Sequence, residues 1–171
     1  MDDTKADAIL IAGANGAGKT TLARQILRLQ FPEAEFINAD EIQREGPKLM
    51  HPVGAGRELL RRMADLERRG ASFAVETTLS SPMYVSRLRS WAASGYRTTL
   101  HFIELPSADF AVRRVAMRVA AGGHAVPEAD IRRRYDRGLR LFATVYKALP
   151  SRWYHWRSDD GGLRLVDQNT N

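Results

Sequence analysis

Residues 13–20 read GANGAGKT and fit the spacing G-x-x-x-x-G-K-[ST], a combination of residue types suited to holding phosphates. Gly13, Gly16 and Gly18 let the loop turn tightly. The backbone N–H groups of Gly13, Ala14, Asn15, Gly16, Ala17 and Gly18 can then point inward at an anion, together with those of the helix start at Lys19, Thr20 and Thr21. Lys19 is placed to reach the β- and γ-phosphates, and the Thr20 hydroxyl is a candidate Mg²⁺ ligand. Two carboxylates follow at the ends of apolar runs, Asp40 in EFINAD and Glu76 in SFAVETTL. Asp40 could accept the proton of an attacking hydroxyl, or simply cap the helix that follows. Glu76 could be linked to Mg²⁺, hydrogen-bond a substrate hydroxyl with Thr77 beside it, or form a structural ion pair. Arg118 and the run Arg132, Arg133, Arg134 flank the glycine-containing turn AAGGHAVPEAD and could close over a nucleotide as a lid.

These residues need a scaffold that brings strand ends to one edge. Apolar or β-rich runs at 7–14, 35–40, 72–79 and 97–105 alternate with segments of helical periodicity, which predicts βα units and a parallel sheet flanked by helices. In such sheets ligands bind beyond the carboxyl ends of the strands, where Asp40 and Glu76 would lie. Leu59, Leu60, Met63 and Leu66 share one face of a helix that should end at Gly70. Ser107 is a candidate N-cap for a basic helix, and Pro127 marks the first turn of a long amphipathic one carrying Ile131, Tyr135, Leu139, Phe142 and Tyr146. The aromatic and aliphatic tail around SDDGG predicts a C-terminal hairpin or edge strand.

At 171 residues, with no linker-like or repetitive segment, the chain reads as one domain spanning 1–171, with the lid at about 118–134. The absence of cysteine excludes disulfides and thiolate zinc sites, and the four histidines are scattered without metal-ligand spacing. The acidic start MDDTKAD and the short apolar run after it predict a soluble cytoplasmic protein without a membrane segment. Of the net charge of +6, five units fall within residues 107–147, where nine Lys or Arg face four acids. Such a cluster suits a small polyanion as well as a nucleic-acid backbone.

A phosphate cradle by itself serves switch GTPases, transport ATPases and kinases. The TKAD stretch at 4–7 lies too close to the first strand to form a separate guanine-reading loop, and no LSGGQ-like signature occurs. A kinase requires an acceptor-side base and cations for the transferring phosphoryl, and both have candidates in Asp40 and the arginines.

With these residues in order, GANGAGKTT, NADEI, VETTL and GGHAVPEADIRRRYDRGL, the sequence resembles the short bacterial branch of the zeta toxin family of P-loop kinases over roughly residues 7–149. The resemblance implies a kinase-like α/β fold of the P-loop NTPase class, with ATP and Mg²⁺ as cofactors. It implies phosphorylation of a sugar nucleotide, UDP-N-acetylglucosamine, on a sugar hydroxyl, and restraint by an antitoxin. By position it implies Asp40 as base, Glu76 as the substrate-binding acid, Lys19 as the P-loop lysine, and Arg118 with Arg133 or Arg134 as lid arginines. Two departures are visible. Longer members carry more chain between the second and third strands, and they have an arginine three residues after the catalytic aspartate, where this chain has Gln43 followed by Arg44. A polynucleotide or RNA-directed kinase, or one acting on another small metabolite, is the alternative reading of the same cations.

Overall fold

The computed structural model describes residues 5–46 and 51–170. The acidic start of the chain, Thr4 of TKAD and positions 47–50 of the interval between Asp40 and Glu76 lie outside the described residues.

Strand β1 (Asp7–Gly13) is apolar on both faces and takes the centre of a six-stranded sheet ordered β2-β3-β1-β4-β5-β6. Its neighbours are β3 (Phe73–Thr77) and β4 (Arg97–Glu104), both parallel to it, with β2 (Glu35–Ile37) beyond β3 and β5 (Arg152–Asp159) beyond β4. Only β6 (Gly162–Thr170) runs antiparallel, as the outer half of the C-terminal hairpin. The expected α/β fold is therefore present: a mostly parallel sheet flanked by helices, with that hairpin at one edge.

Alternation along β1 divides the core. Ala8, Leu10 and Ala12 pack on one face with Leu59, Met63 and Leu66 of α3 (Pro52–Arg69) and Leu88 and Trp91 of α4 (Met83–Ala93). Ile9 and Ile11 pack on the other with α1 (Lys19–Gln30) and with Phe110 and Val115 of α5 (Ala108–Ala120). Helix α3 stops at Gly70, in a left-handed conformation with φ 61°, as its sequence predicts. Ser107 caps α5 by accepting from the Phe110 N–H at 3.1 Å.

Helix α6 (Glu128–Thr144) behaves differently from the others. Ile131 near its start packs with the α1 and α5 layer, while Phe142 near its end stacks on Phe102 at 4.1 Å in the opposite layer. Between them it passes the residues just beyond the strand ends. The Tyr135 hydroxyl donates to the Leu105 carbonyl at 3.0 Å, Arg134 reaches Asn15 at 3.3 Å, and a Cβ on Gly138 would lie 2.8 Å from the Thr78 carbonyl oxygen. The helix thus crosses the carboxyl edge of the sheet like a beam. It ends at Thr144, short of the expected Tyr146, which begins a 3₁₀ turn (Tyr146–Ala148) and is fully buried.

Strand β2 is shorter than its apolar run predicts. The apolar run at 35–40 does not remain a strand to Asp40: β2 stops at Ile37, and α2 (Ala39–Glu45) begins after Asn38. The Asn38 side chain accepts from the Asp40 N–H at 2.8 Å, so the N-cap is Asn38, and Asp40 sits in the first turn of the helix. Among the described residues no helix is long and apolar enough to cross a membrane.

Candidate active site

Loop 14–18 joins the buried end of β1 to the first turn of α1, so the chain turns from the sheet straight into a helix N-terminus. Gly18 takes φ 89°, a conformation side chains rarely adopt, and a Cβ there would meet nothing within 4 Å. Gly13 is required for space: its Cβ would come 2.5 Å from the Ile103 carbonyl oxygen.

Lys19 is 7% exposed. Its Nζ donates to the Ala14 carbonyl at 2.9 Å and lies 3.7 Å from Glu76. Burial pulls its pKa down, the carboxylates of Glu76 and Asp40 pull it back up, and Arg118 and Arg134 add to the lowering. An ammonium folded onto its own loop in this way has donors to offer an incoming phosphate.

Glu76, at the end of β3, is the hub. One of its oxygens accepts from the Thr20 hydroxyl at 2.7 Å and from the Asn38 amide at 2.9 Å. Since Asn38 also holds the Asp40 N–H, one chain of hydrogen bonds runs from cradle to candidate base through Thr20, Glu76, Asn38 and Asp40. The sequence offered Asn38 only as part of NADEI; an Asn between a strand and a helix opening with acids is the capping signal that could have found it.

Three cavities meet here. One of about 480 Å³ extends from Asp40 and Glu76 to the loop 77–81 and is roofed by arginines of α6. A second, of about 460 Å³, lies between Asp40, Gln43 and Arg44 on one side and Gly122, Gly123 and His124 on the other. The third, of about 290 Å³, borders Gly16, Gly18, Thr20, Thr21 and Arg114. Arg118 lines all three. Its Nη2 donates to the His124 carbonyl at 2.8 Å, while its Nε is buried without a hydrogen-bond partner among the described residues.

The three consecutive arginines separate by direction. Arg132 turns away, bridging Asp109 of α5 and Glu128 at 2.7 Å each. Arg133 lines the largest cavity while paired with Asp130 at 2.9 Å. Arg134 lines the same cavity and reaches Asn15 of the loop. Thr77 faces it too, but its hydroxyl accepts from the Leu79 N–H at 3.0 Å and so shapes the following turn. Arg114, Arg137, Thr78, Ser80 and Ser81 also border the site, and no periodic signal along the chain marks them. A groove of about 210 Å³ continues past Thr21 and Arg114 to Ser158, Asp159 and Leu163 of the hairpin.

A glycine-rich cradle between the central strand and α1, with an acid at the end of the adjacent strand touching its threonine, is a nucleotide-binding arrangement. The family model for an AAA domain matches residues 9–137. The chain belongs to that AAA-domain family. Its matched region runs from β1 to Arg137 of α6 and so includes the cradle, both carboxylates, Arg118 and Arg132 to Arg134. An uncharacterized protein of Haemophilus influenzae is 28% identical to this AAA-domain chain over 131 residues, 75% of this chain and 91% of that one. The fold is similar to a structure from the PezAT chromosomal toxin–antitoxin system of Streptococcus pneumoniae, with TM-score 0.69 and 18% identity over 100% of this chain and 76% of that one. It is also similar to a chain of the Pnkp1/Rnl/Hen1 RNA repair complex, with TM-score 0.65 and 20% identity over 83% of this chain and 47% of that one. At these identities the likeness shows the fold alone, and what the site does is argued from its residues.

Proposed function

We propose that the chain is one kinase domain with a lid at about 118–134, and that it transfers the γ-phosphoryl of ATP to a hydroxyl of a sugar nucleotide such as UDP-N-acetylglucosamine. The observation that carries this reading is the convergence on Arg118, which borders the cradle, the Asp40 side and the large cavity at once. A cation at that junction can follow charge as it moves from one phosphate to the next.

In this reading the backbone of 13–18, Lys19 and the start of α1 hold the triphosphate, and the groove toward Ser158 and Leu163 receives the nucleoside. Asp40 accepts the acceptor hydroxyl's proton as its oxygen attacks the γ-phosphorus; the bond to the β–γ bridging oxygen breaks, and ADP leaves with the electron pair. Arg118 with Arg134 or Arg133 neutralises the equatorial oxygens. The contact between the Thr20 hydroxyl and the Glu76 carboxylate fits Mg²⁺, which takes one or two protein oxygens and fills its remaining positions with water and phosphate. Thr20 and Glu76 would hold the ion, and when bound it neutralises β- and γ-phosphate charge.

The polynucleotide alternative draws on the same basic segment. Asp109, Glu128 and Asp130 engage Arg132 and Arg133, which interrupts that face and favours a small acceptor. An antitoxin partner belongs to this reading on the strength of the fold shared with the PezAT structure alone.

The test is mass spectrometry of sugar nucleotides, nucleosides and RNA ends incubated with the protein, ATP and Mg²⁺, beside Asp40→Asn. A phosphorylated UDP-sugar formed by the parent alone is the expected result. Phosphorylated RNA ends in its place would overturn the choice of acceptor.

A further inference from the structure

The end of the large cavity away from the cradle has features that phosphoryl transfer itself does not use. The cavity presents Lys19, Arg118, Arg133, Arg134 and Arg137 against two acids, Asp40 and Glu76. Glu76 is engaged by Lys19, Thr20 and Asn38, and Arg133 is offset by Asp130. Lys19, Arg118 and Arg134 reach or border the phosphate loop. Arg137 does neither: it has no acidic partner among the described residues, and it lies one helical turn past Arg133 and Arg134, toward the loop that follows β3.

That loop is built to offer hydroxyls. Leu79 is buried at φ 55°, the one non-glycine residue with positive φ among the described residues, and its N–H is held by the Thr77 hydroxyl. A leucine there carries strain of about 1 kcal/mol or more. With Leu79 anchored in the core, the loop turns Thr78, Ser80 and Ser81 to the cavity, and the Thr78 and Ser80 hydroxyls bond each other at 2.9 Å. Gly138 brings α6 so close that a Cβ would lie 2.8 Å from the Thr78 carbonyl oxygen, and Arg137 next to it lines the same cavity as Thr78 and Ser80. A guanidinium with no acidic partner among the described residues, lining one cavity with a pair of hydroxyls, suits an anion.

We propose that Arg137 and the Thr78–Ser80 hydroxyl pair form a subsite for an anionic group, phosphate or carboxylate, that the acceptor carries apart from the hydroxyl being phosphorylated. The subsite rests on the kinase reading above and deepens it. Neutral sugars lack the group and are discriminated against, and Arg137 determines specificity while Asp40 and Arg118 serve the reacting atoms.

The experiment compares N-acetylglucosamine, its 1-phosphate, UDP-N-acetylglucosamine and glucuronate as acceptors, for the parent, Arg137→Ala and Arg137→Lys. Each is also titrated calorimetrically into protein saturated with Mg²⁺ and a non-hydrolysable ATP analogue. At least one anionic compound should exceed neutral N-acetylglucosamine tenfold in kcat/KM, and the alanine variant should erase that preference through acceptor KM, with partial recovery in the lysine variant. The phosphorylated compounds and glucuronate tell a phosphate site from a carboxylate site. If no compound is phosphorylated, the kinase reading is what fails, and calorimetry still decides the subsite: anion binding by the parent and not by Arg137→Ala upholds it. Equal handling of neutral and anionic compounds, equal losses for both in Arg137→Ala, or no anion binding at all would overturn it.

Discussion

The Thr20 hydroxyl donates a 2.7 Å hydrogen bond to the Glu76 carboxylate, joining the phosphate loop to the strand beside it across 56 residues of sequence. This bond assembles cradle and acid, setting side by side the two oxygens that would hold an ion. Glu76→Gln keeps the shape and removes the charge. It should raise the Mg²⁺ concentration needed for half-maximal activity by about tenfold or more, in line with losing the negative charge of one of the two groups near the ion. A Mg²⁺ titration superimposable on the parent's would show that Glu76 serves only its contacts with Lys19, Thr20 and Asn38.

Asp40 is not the cap of α2, so its charge can be removed without unfolding that helix. Asp40→Asn should lower phosphoryl transfer by about 10²- to 10⁴-fold, the usual worth of a positioned base, while ATP affinity stays within about twofold. Full turnover in single-turnover assays would remove Asp40 from the mechanism. Asn38→Ala, by contrast, should destabilise the fold by about 1 kcal/mol through the lost cap and also release Glu76.

Neighbouring arginines should behave as opposites. Arg134→Ala, and more weakly Arg133→Ala because of its pairing with Asp130, should reduce turnover far more than nucleotide affinity. Arg132→Ala should leave kinetics close to the parent's and loosen the contact between α5 and α6, seen as a lower melting temperature. Unaltered turnover in both Arg133 and Arg134 variants would sink the lid assignment.

Acid sensitivity should trace to the core. His101 is 2% exposed on β4, stacked on Tyr154 at 4.7 Å, with its Nδ1 accepting from the Trp156 indole at 3.2 Å. Burial lowers its pKa from 6.5 to about 3. The folded pKa lies below the unfolded one, so the protein is fully stable with respect to this group above pH 6.5 and loses stability as pH falls toward 3. The slope is at most about 1.4 kcal/mol per pH unit. Urea unfolding at pH 7.5, 6.5 and 5.5 for the parent and His101→Gln should show a steeper decline in the parent; parallel declines would assign the effect elsewhere.

The sequence alone determined what depends on local rules. The cradle was legible because glycines, Lys19 and Thr20 act at fixed spacing on one turn of chain, and the βα alternation because periods of two and 3.6 are properties of short windows. Gly70 and Ser107 were readable as helix ends for the same reason. Extension of a strand through 35–40 was not decided locally, since residues that continue a β run are also those that cap a helix, and the Asn38 contacts with Glu76 and Asp40 favour the cap.

Only the tertiary structure could choose among Arg132, Arg133 and Arg134, because three consecutive residues sweep most of a helix circumference. The partner each one meets depends on α6 crossing the sheet edge, a path set by Gly138 against Thr78 and by Phe142 on Phe102. The same path brings Arg137 into one cavity with a loop nearly 60 residues earlier in the chain. Contacts between residues so far apart in sequence arise from packing the two faces of one sheet, and no spacing along the chain encodes them.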